Sequence, residues 1–544
     1  MNNFHKNQLQ ILVKYSAIVA IFSFAALNAF AGVVATDENR RTERTTIVPT
    51  GMDTIVIARV GNLNITAEEF LLSYEFGPAF VKRGKNPGAR HLNFMINEKL
   101  LALEGYARRL ERDPQVTASL QEVEGDLATE ELYRDDVLSQ VSVDSSEMAA
   151  AIAQERVHLE MKWLFTTARQ AMDAHLKQLA QGVSFDALFK TQLNDSVFAD
   201  NRSLEITKFR LEEKNPALAQ VVDTLKYGAV SQVIETPDGF YVVQITNMWT
   251  NPVMTETERT RLEYDLERAL IQRKAEALSD RYVDTMMRER NPLIVRRTFN
   301  TLRAMMGKMT LPREKYNDWN LSKDLMSEAG PVDSAKVDDY RGTTLVRLND
   351  QNFSLEDFWR WHQARRPYIR FSTTSSQSFS ASLQQMVWRS VRDKLLIARA
   401  LQRGLQNRRT VQRQKQWWEE KIVYARDKEE MLKSLHLADE QIRQFYESHR
   451  QRYRDQKGNV LPFAQAQSAT RQDCYEYELT KNMLHHLNKL KNQYPVEINQ
   501  GALDALNIST APEPKAIDVI VAKKGGTFPR PAFPTIDFDW QRWE

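Results

Sequence analysis

The chain has 544 residues, too many for one ordinary domain, and its content of 42% hydrophobic and 27% charged residues is typical of globular proteins. Its 74 Lys and Arg residues nearly balance 71 Asp and Glu residues, so the charge of +3 neither favours nor opposes a nucleic-acid partner, and we expect none. Cys474 is the only cysteine, which excludes an internal disulfide and any multi-cysteine metal site.

The N-terminus predicts an export signal. Lys6 and Lys14 supply positive charge, residues 17–27 form an uncharged apolar run, and residues 29–31 supply the small-x-small cleavage pattern. Because the apolar run is shorter than a bilayer span, we expect cleavage after Ala31, no stable membrane span afterwards, and a mature chain in the periplasm. The polar residues 32–53 predict a flexible lead-in.

A helical module follows the lead-in. Residues 54–65 predict a hairpin, and Thr66 is a favourable N-cap for the helix after it. Further helices are predicted at 92–110, 116–138, 145–156 and 255–290, with a short strand at 293–295. Because the early helices have unburied apolar faces, we predict that residues 54–156 and 250–300 pack together as one module.

Residues 157–249 have a different pattern and interrupt this module. Apolar residues alternate with mostly polar ones from Val157 to Phe165, which predicts a strand. Helices at 168–181 and 217–227 follow, and then strands at 230–234 and 240–245. The interruption is therefore predicted to be a small α+β domain.

The second half of the chain repeats the first. Residues 58–70 match residues 346–358, and residues 98–110 match residues 393–405. Residues 138–148 match 432–442, and residues 282–295 match 487–498. We therefore predict a second helical module at 344–508 without an α+β insertion, joined to the first by a linker at 301–343.

The tail, residues 509–544, is rich in proline and aromatic residues but has no helix or strand period. Its aromatic residues predict a docking segment at 525–544, because aromatic side chains are favoured interface anchors. The acceptor is either the protein's own second module or a partner in the cell envelope, and a disordered terminus is the alternative.

Two other signals have simple interpretations. The basic run at 394–415 indicates either a solvated helix face or a patch for an anionic lipid or client. His158, His485 and His486 lack the spacing of metal ligands, and no phosphate-binding loop is present, so we expect no metal and no cofactor.

Residues 181–195 and 221–245 resemble the parvulin, or PpiC-type rotamase, domain of peptidyl-prolyl isomerases. The matching positions are Gly182, Phe185, Leu188, Leu225, Gly228, Val230, Ser231, Val233, Thr236, Gly239 and Val243. The flanking module resembles that of the SurA and PrsA chaperones. The resemblance implies an α+β fold class in which mostly helical, duplicated chaperone modules carry one inserted parvulin-like domain.

The resemblance also implies where a catalytic site would lie. The family's first-strand histidine falls on Lys162 and its last-strand histidine on Tyr241. Its cysteine or aspartate falls on Ser196, or on Asp195 if the alignment shifts by one residue. Lysine and tyrosine do not reproduce a histidine pair, because an ammonium group only donates hydrogen bonds. We therefore expect no intact catalytic set.

The proline pocket of the family is replaced as well. Its methionine and phenylalanine positions fall near Glu213 and Ala217, which would remove most of the apolar wall. Glu213, Ala217 and Trp163 remain the candidates for peptide binding.

The resemblance favours a periplasmic folding factor that binds unfolded or nascent exported polypeptides, including outer-membrane proteins, and has lost isomerase activity. One alternative is an active isomerase with an unusual site. The other is a structural subunit of a cell-envelope assembly.

Overall fold

The computed structural model describes residues 51–83, 85–193, 199, 202–236, 239–251, 255–325, 341–366, 369–506, 508, 528–529 and 532–543. The predicted export signal at 1–31 and most of the lead-in lie outside these residues. Contacts divide the chain into two compact units, one formed by residues up to Leu132 and from Val283 onward, the other by Tyr133–Tyr282. None of the helices found in the described ranges is long and apolar enough to cross a membrane.

Most of the described chain is helical, with short antiparallel sheets. The helices are α1 Ala67–Phe76, α2 Pro87–Ala107, α3 Pro114–Asp136, α4 Ser145–Glu155, α5 Arg169–Ala180, α6 Phe185–Thr191, α7 Lys208–Lys214, α8 Pro216–Thr224, α9 Glu256–Arg290, α10 Arg296–Thr310, α11 Arg313–Asp318, α12 Leu355–Arg365, α13 Ser376–Gln402, α14 Arg409–Ser434, α15 Asp439–His449, α16 Phe463–Gln493 and α17 Gln500–Asp504. The strands are β1 Val56–Val60, β2 Leu63–Thr66, β3 Val157–Thr166, β4 Ser203–Thr207, β5 Ile234–Thr236, β6 Gly239–Thr250, β7 Leu293–Ile294, β8 Thr344–Arg347, β9 Asn352–Ser354 and β10 Val496–Ile498.

The unit Tyr133–Tyr282 contains a four-stranded antiparallel sheet in the order β4-β3-β6-β5. Its two central strands pair from Val157 opposite Thr250 to Thr166 opposite Phe240. Helices α5 and α6 cover one face of the sheet, and α7 and α8 cover the other. The predicted fold class, helical modules with one inserted α+β domain, is confirmed.

The helices flanking this domain belong to the same unit. Leu266 and Leu270 of α9 are buried against Ala151 of α4 and Phe209 of α7. Sequence periodicity predicts that α4 and α9 pack with the first helical module, but these apolar faces are buried within the unit of the α+β domain.

In the other unit, the two predicted copies of the repeat exchange their closing strands. The hairpin β1–β2 pairs with β10 from the end of the second copy, so that Ala58 lies opposite Ile498. The hairpin β8–β9 pairs with β7 from the end of the first copy, so that Leu293 lies opposite Arg347. The predicted module boundaries imply that each hairpin pairs with the closing strand of its own copy. Instead, each hairpin pairs with the closing strand of the other copy.

The helices follow the same exchange. In the first copy, α2 packs against α14 and α16 of the second, and the Cβ that an alanine at Gly105 would carry lies 2.5 Å from Val423 Cγ1. Helix α3 also crosses α13 closely, since a Cβ at Gly125 would lie 2.9 Å from Ile397 Cγ2. Both glycines lack the Cβ that would separate the helices, so these two crossings depend on close backbone approach.

The predicted linker contains secondary structure. Helix α10 begins at Arg296 and buries Leu302 and Met306, which are four residues apart and therefore share a helical face. Helix α11 follows it, and residues 326–340 lie outside the described ranges. The described parts of this segment, 301–325 and 341–343, thus belong to the helical unit.

The basic run at 394–415 forms ion pairs with acidic side chains. Arg413 contacts Asp53 at 2.9 Å, and Lys415 contacts Glu124 at 2.8 Å. Since these acids belong to the first part of the chain, the run stabilises contacts between the two copies and is not only a solvated face.

Candidate functional site

Strand register decides which side chains share a face of the α+β sheet. Residues directly opposite each other in an antiparallel pair point to the same side. Trp163 lies opposite Val243, and Phe165 lies opposite Tyr241. The rings of Phe165 and Tyr241 are 4.8 Å apart and tilted by 49°. Trp163, Phe165 and Tyr241 therefore form an aromatic surface on the side covered by α7 and α8.

Lys162 is on the opposite side of the sheet. It pairs with Gln244, and its Nζ lies 3.3 Å from Asp186 Oδ1 and 5.6 Å from the ring centre of Phe189 in α6. The structure therefore does not bring Lys162 together with Tyr241. Trp163, the neighbour of Lys162 in β3, shares a face with Tyr241 instead, as the apolar alternation along β3 could have indicated.

The remaining predicted site residues are distributed as follows. Glu213 is exposed and accepts a hydrogen bond of 3.0 Å from Arg210. Ala217 lies in α8, but its side chain is outside the described set, as are Ser196 and Asp195. The apolar residues that α7 and α8 place against the sheet are Leu211, Leu218, Ala219 and Val222.

Two residues that mark the family resemblance have structural roles. Ser231 is buried, its Oγ accepts a hydrogen bond of 2.9 Å from Val243 N, and its own N–H donates to Val243 O at 2.8 Å. Gly239 has φ of 152°, and a Cβ there would lie 2.5 Å from Thr166 O. Both positions hold the last strand in place, so their match indicates the fold and not the chemistry.

The chemistry of the aromatic face follows from its groups. An indole N–H only donates a hydrogen bond, a phenol donates or accepts, and a phenyl ring does neither. Among the described residues, the β3 and β6 side chains on this face include no imidazole. The face therefore offers apolar and aromatic contact area with one phenol group from Tyr241.

A second candidate region is the groove in which the tail docks. Trp540 is 1% exposed, stacks on Phe94 at 5.8 Å, and donates from Nε1 to Glu98 Oε1 at 2.9 Å. Trp543 and Ile536 are buried in the same core. The described part of the tail thus docks on its own chain.

The second half of the chain contains an indole–acid pair of the same kind. In the second copy Asp393, the counterpart of Glu98, accepts a hydrogen bond of 2.8 Å from Trp361 Nε1. The first copy has Ser73 where the second has Trp361. Trp540 therefore supplies to the first copy the indole that the second copy encodes within its own helix.

Charged groups hold the tail next to this indole. Asp537 accepts hydrogen bonds from Lys428 and, at 3.1 Å, from Tyr424. Burial acts to raise the pKa of Asp537, but Lys428 and Lys421 outweigh it and lower that pKa to about 2. The tail carboxylate is therefore charged throughout the neutral range.

A buried lysine lies beside the groove. Lys99 is 5% exposed and contacts Glu69 at 2.6 Å and also Glu420. Burial raises the pKa of Glu69 to about 7, and Lys99 opposes that shift. The second copy repeats the pair as Lys394 and Asp357, also at 2.6 Å, which indicates a structural role.

A protein-family model matches part of the inserted domain. The PPIC-type PPIase (rotamase) domain model matches residues 165–247. No match was found among curated proteins.

Three solved structures show the extent of the structural similarity. PrsA from Bacillus anthracis is 11% identical, with a TM-score of 0.20, and the match covers 35% of this chain and 96% of that one. PrsA from Bacillus subtilis is 16% identical, with a TM-score of 0.17 and coverage of 42% and 93%. A structure from the work on PEB4 and Cj1289, SurA-like chaperones of Campylobacter jejuni, is 16% identical, with a TM-score of 0.18 and coverage of 43% and 97%.

The domain assignment rests on the family model, the sheet order and the positions of Ser231 and Gly239. Residues 165–247 therefore belong to the PPIC-type peptidyl-prolyl isomerase, or parvulin, domain family.

Proposed function

We propose that the protein is an exported folding factor of the periplasm that binds unfolded exported or outer-membrane polypeptides. In this proposal its parvulin domain has lost isomerase activity and contributes a peptide-binding surface. The observation that carries the proposal is the face on which Tyr241 lies beside Phe165 and on the same side as Trp163, with no imidazole from either strand.

The loss of catalysis is inferred from hydrogen-bonding capacity. A histidine pair shares one donor and one acceptor and so sets the tautomer of each ring. Trp163 cannot accept a hydrogen bond, and Lys162 is on the other face of the sheet. Neither residue can form with Tyr241 the pair that the family's chemistry uses.

The binding role is supported by the type of surface that remains. Aromatic side chains give large contact area with few rotatable bonds, which suits weak binding of many different peptides. Trp163 is the proposed anchor, with Glu213 and Ala217 at the neighbouring positions of α7 and α8. Outside the parvulin domain, Tyr477 and Leu484 of α16 expose further apolar area.

The first experiment measures isomerisation of an X-Pro peptide in a protease-coupled assay. We expect the full mature chain to give no acceleration above background. The matched variants are Tyr241→Ala and Tyr227→Ala, since Tyr227 is 68% exposed in the same domain. Acceleration that Tyr241→Ala abolishes and Tyr227→Ala retains would establish the alternative of an active isomerase with an unusual site.

The second experiment measures suppression of the aggregation of an unfolded outer-membrane protein. We expect suppression by the mature chain, and weaker suppression by Trp163→Ala at unchanged thermal stability of the helical unit. No suppression, together with one envelope protein that co-purifies with the full mature chain in a fixed ratio, would favour a structural subunit of an envelope assembly.

A further inference from the structure

Three helices bring potential metal ligands together at one point of the helical unit. Glu104 of α2, Asp427 of α14 and His486 of α16 each place a ligand atom within 4.8 Å of the others. The Nε2 atom of His486 contacts Glu104 Oε2 directly. The cluster is independent of the tail groove and of the parvulin domain.

The cluster opens into a cavity of about 410 Å³. The Asp427 side chain is only 2% exposed, and Arg108 Nη1 donates to its Oδ1 at 2.6 Å. A carboxylate so well shielded from water needs neighbouring positive charge, and a cation bound in the cavity would add to that supplied by Arg108.

We propose that Glu104, Asp427 and His486 bind a divalent first-row metal ion, with Zn²⁺ as the representative. Two carboxylates and one imidazole are ligands that Zn²⁺ accepts, and three protein ligands leave a coordination position for water or a client group in the cavity. The cation takes the place of the proton shared by His486 and Glu104, and that proton leaves to solvent.

Local charge supports a divalent cation. Glu104, Asp427 and Glu430 line the cavity with three carboxylates, and Arg108, which pairs with Asp427 and Glu430, supplies one positive charge. Arg426 also contacts Glu430, at 3.4 Å, so beside a neutral His486 the three carboxylates exceed the arginines by one charge, which a bound cation would offset.

The equivalent position in the other copy does not preserve the ligand Glu104. The counterpart of Glu104 in the second copy is Arg399, which cannot bind a cation. Because α2 comes from the first copy and α14 and α16 from the second, a metal here would tie together the two copies that exchange strands.

The test is calorimetric titration of Zn²⁺ into the untagged mature chain. His486→Gln and Glu104→Gln remove ligands at positions whose side chains are about a quarter exposed, with fractions of 25% and 26%. His485→Gln is the matched control, since His485 lines the same cavity outside the cluster. We expect one saturable site in the wild type and in His485→Gln, weakened about tenfold or more in both ligand variants.

A second readout separates binding from folding. Circular dichroism should show that all variants are folded, and Zn²⁺ should raise the melting temperature of the wild type and His485→Gln, reversibly with EDTA. Absence of saturable binding in the wild type, or equal affinity in His486→Gln, would overturn the proposal.

Discussion

At the scale of single residues, equivalent positions of the two copies reveal which interactions the fold requires. An acidic side chain accepts a hydrogen bond from an indole in both copies, Glu98 from Trp540 and Asp393 from Trp361. A buried indole N–H without an acceptor would be destabilising, so the tail tryptophan and its acid form one structural element.

Replacing Trp540 with alanine should strongly destabilise the helical unit. The side chain is 1% exposed in the main core, so truncation leaves a large cavity and should lower the free energy of unfolding by about 3–5 kcal/mol. Phe538→Ala is the control, because Phe538 is 52% exposed and should change stability by less than about 0.5 kcal/mol. Equal effects in chemical denaturation would contradict internal docking of the tail.

Docking of the tail should weaken at acidic pH, because Asp537 loses its charge there. Its folded-state pKa, about 2, is below the ordinary value of 3.8, so its stabilising contribution is complete above about pH 4 and is lost as the pH falls towards 2. The difference between these two pKa values corresponds to about 2 kcal/mol in the free energy of unfolding. The difference in the free energy of unfolding between the wild type and Asp537→Asn should therefore narrow between pH 4 and pH 2. A gap that stays constant from pH 5 to pH 2 would show that the charge does not hold the tail.

At the scale of elements, the exchange of closing strands makes each half incomplete. The hairpin β1–β2 needs β10, and β8–β9 needs β7. Because helices α2 and α3 cross elements of the second copy at Gly105 and Gly125, each half also buries apolar residues against the other.

Cutting the chain between the copies should leave the halves associated. A protease site inserted at 326–340, which lies outside the described residues, should be cleaved without separation of the fragments in size-exclusion chromatography. Each fragment expressed alone should aggregate or lack a cooperative transition, because its hairpin has no closing strand. Two fragments that separate and fold independently would show that the copies do not exchange strands.

At the scale of the whole molecule, the α+β domain is inserted through two adjacent chain segments. Asn251 N donates to Arg156 O at 3.1 Å, so the chain leaves and returns at nearly the same place. Among the described residues, those that form the main apolar core of the helical unit all lie outside 157–250.

Deleting 157–250 and joining Arg156 to Asn251 through a short Gly/Ser linker should preserve the helical unit. We expect its thermal transition to stay within about 5 °C of that in the full chain, measured by calorimetry. Helices α4 and α9 lose the packing partner Phe209 and should lose part of their helical signal. Loss of a cooperative transition would mean that the helical unit depends on the inserted domain.

The sequence by itself determined most of the local structure. Helix and strand periods depend on neighbouring residues, so the first hairpin, the helix Glu256–Arg290 and the strand Val157–Thr166 were predicted nearly within their observed bounds. The glycine and hairpin spacing of the inserted domain was sufficient to predict its family, because closing a small sheet requires those residues at set positions.

Only the tertiary structure decided which parts of the chain meet. The closing strands β7 and β10 have the same pairing capacity, so no local pattern indicates which copy receives which strand. Sheet register is likewise non-local, and it put Trp163 instead of Lys162 on the face of Tyr241. The cluster of Glu104 and His486 joins residues that are 382 positions apart, a separation at which spacing along the sequence carries no information about contact.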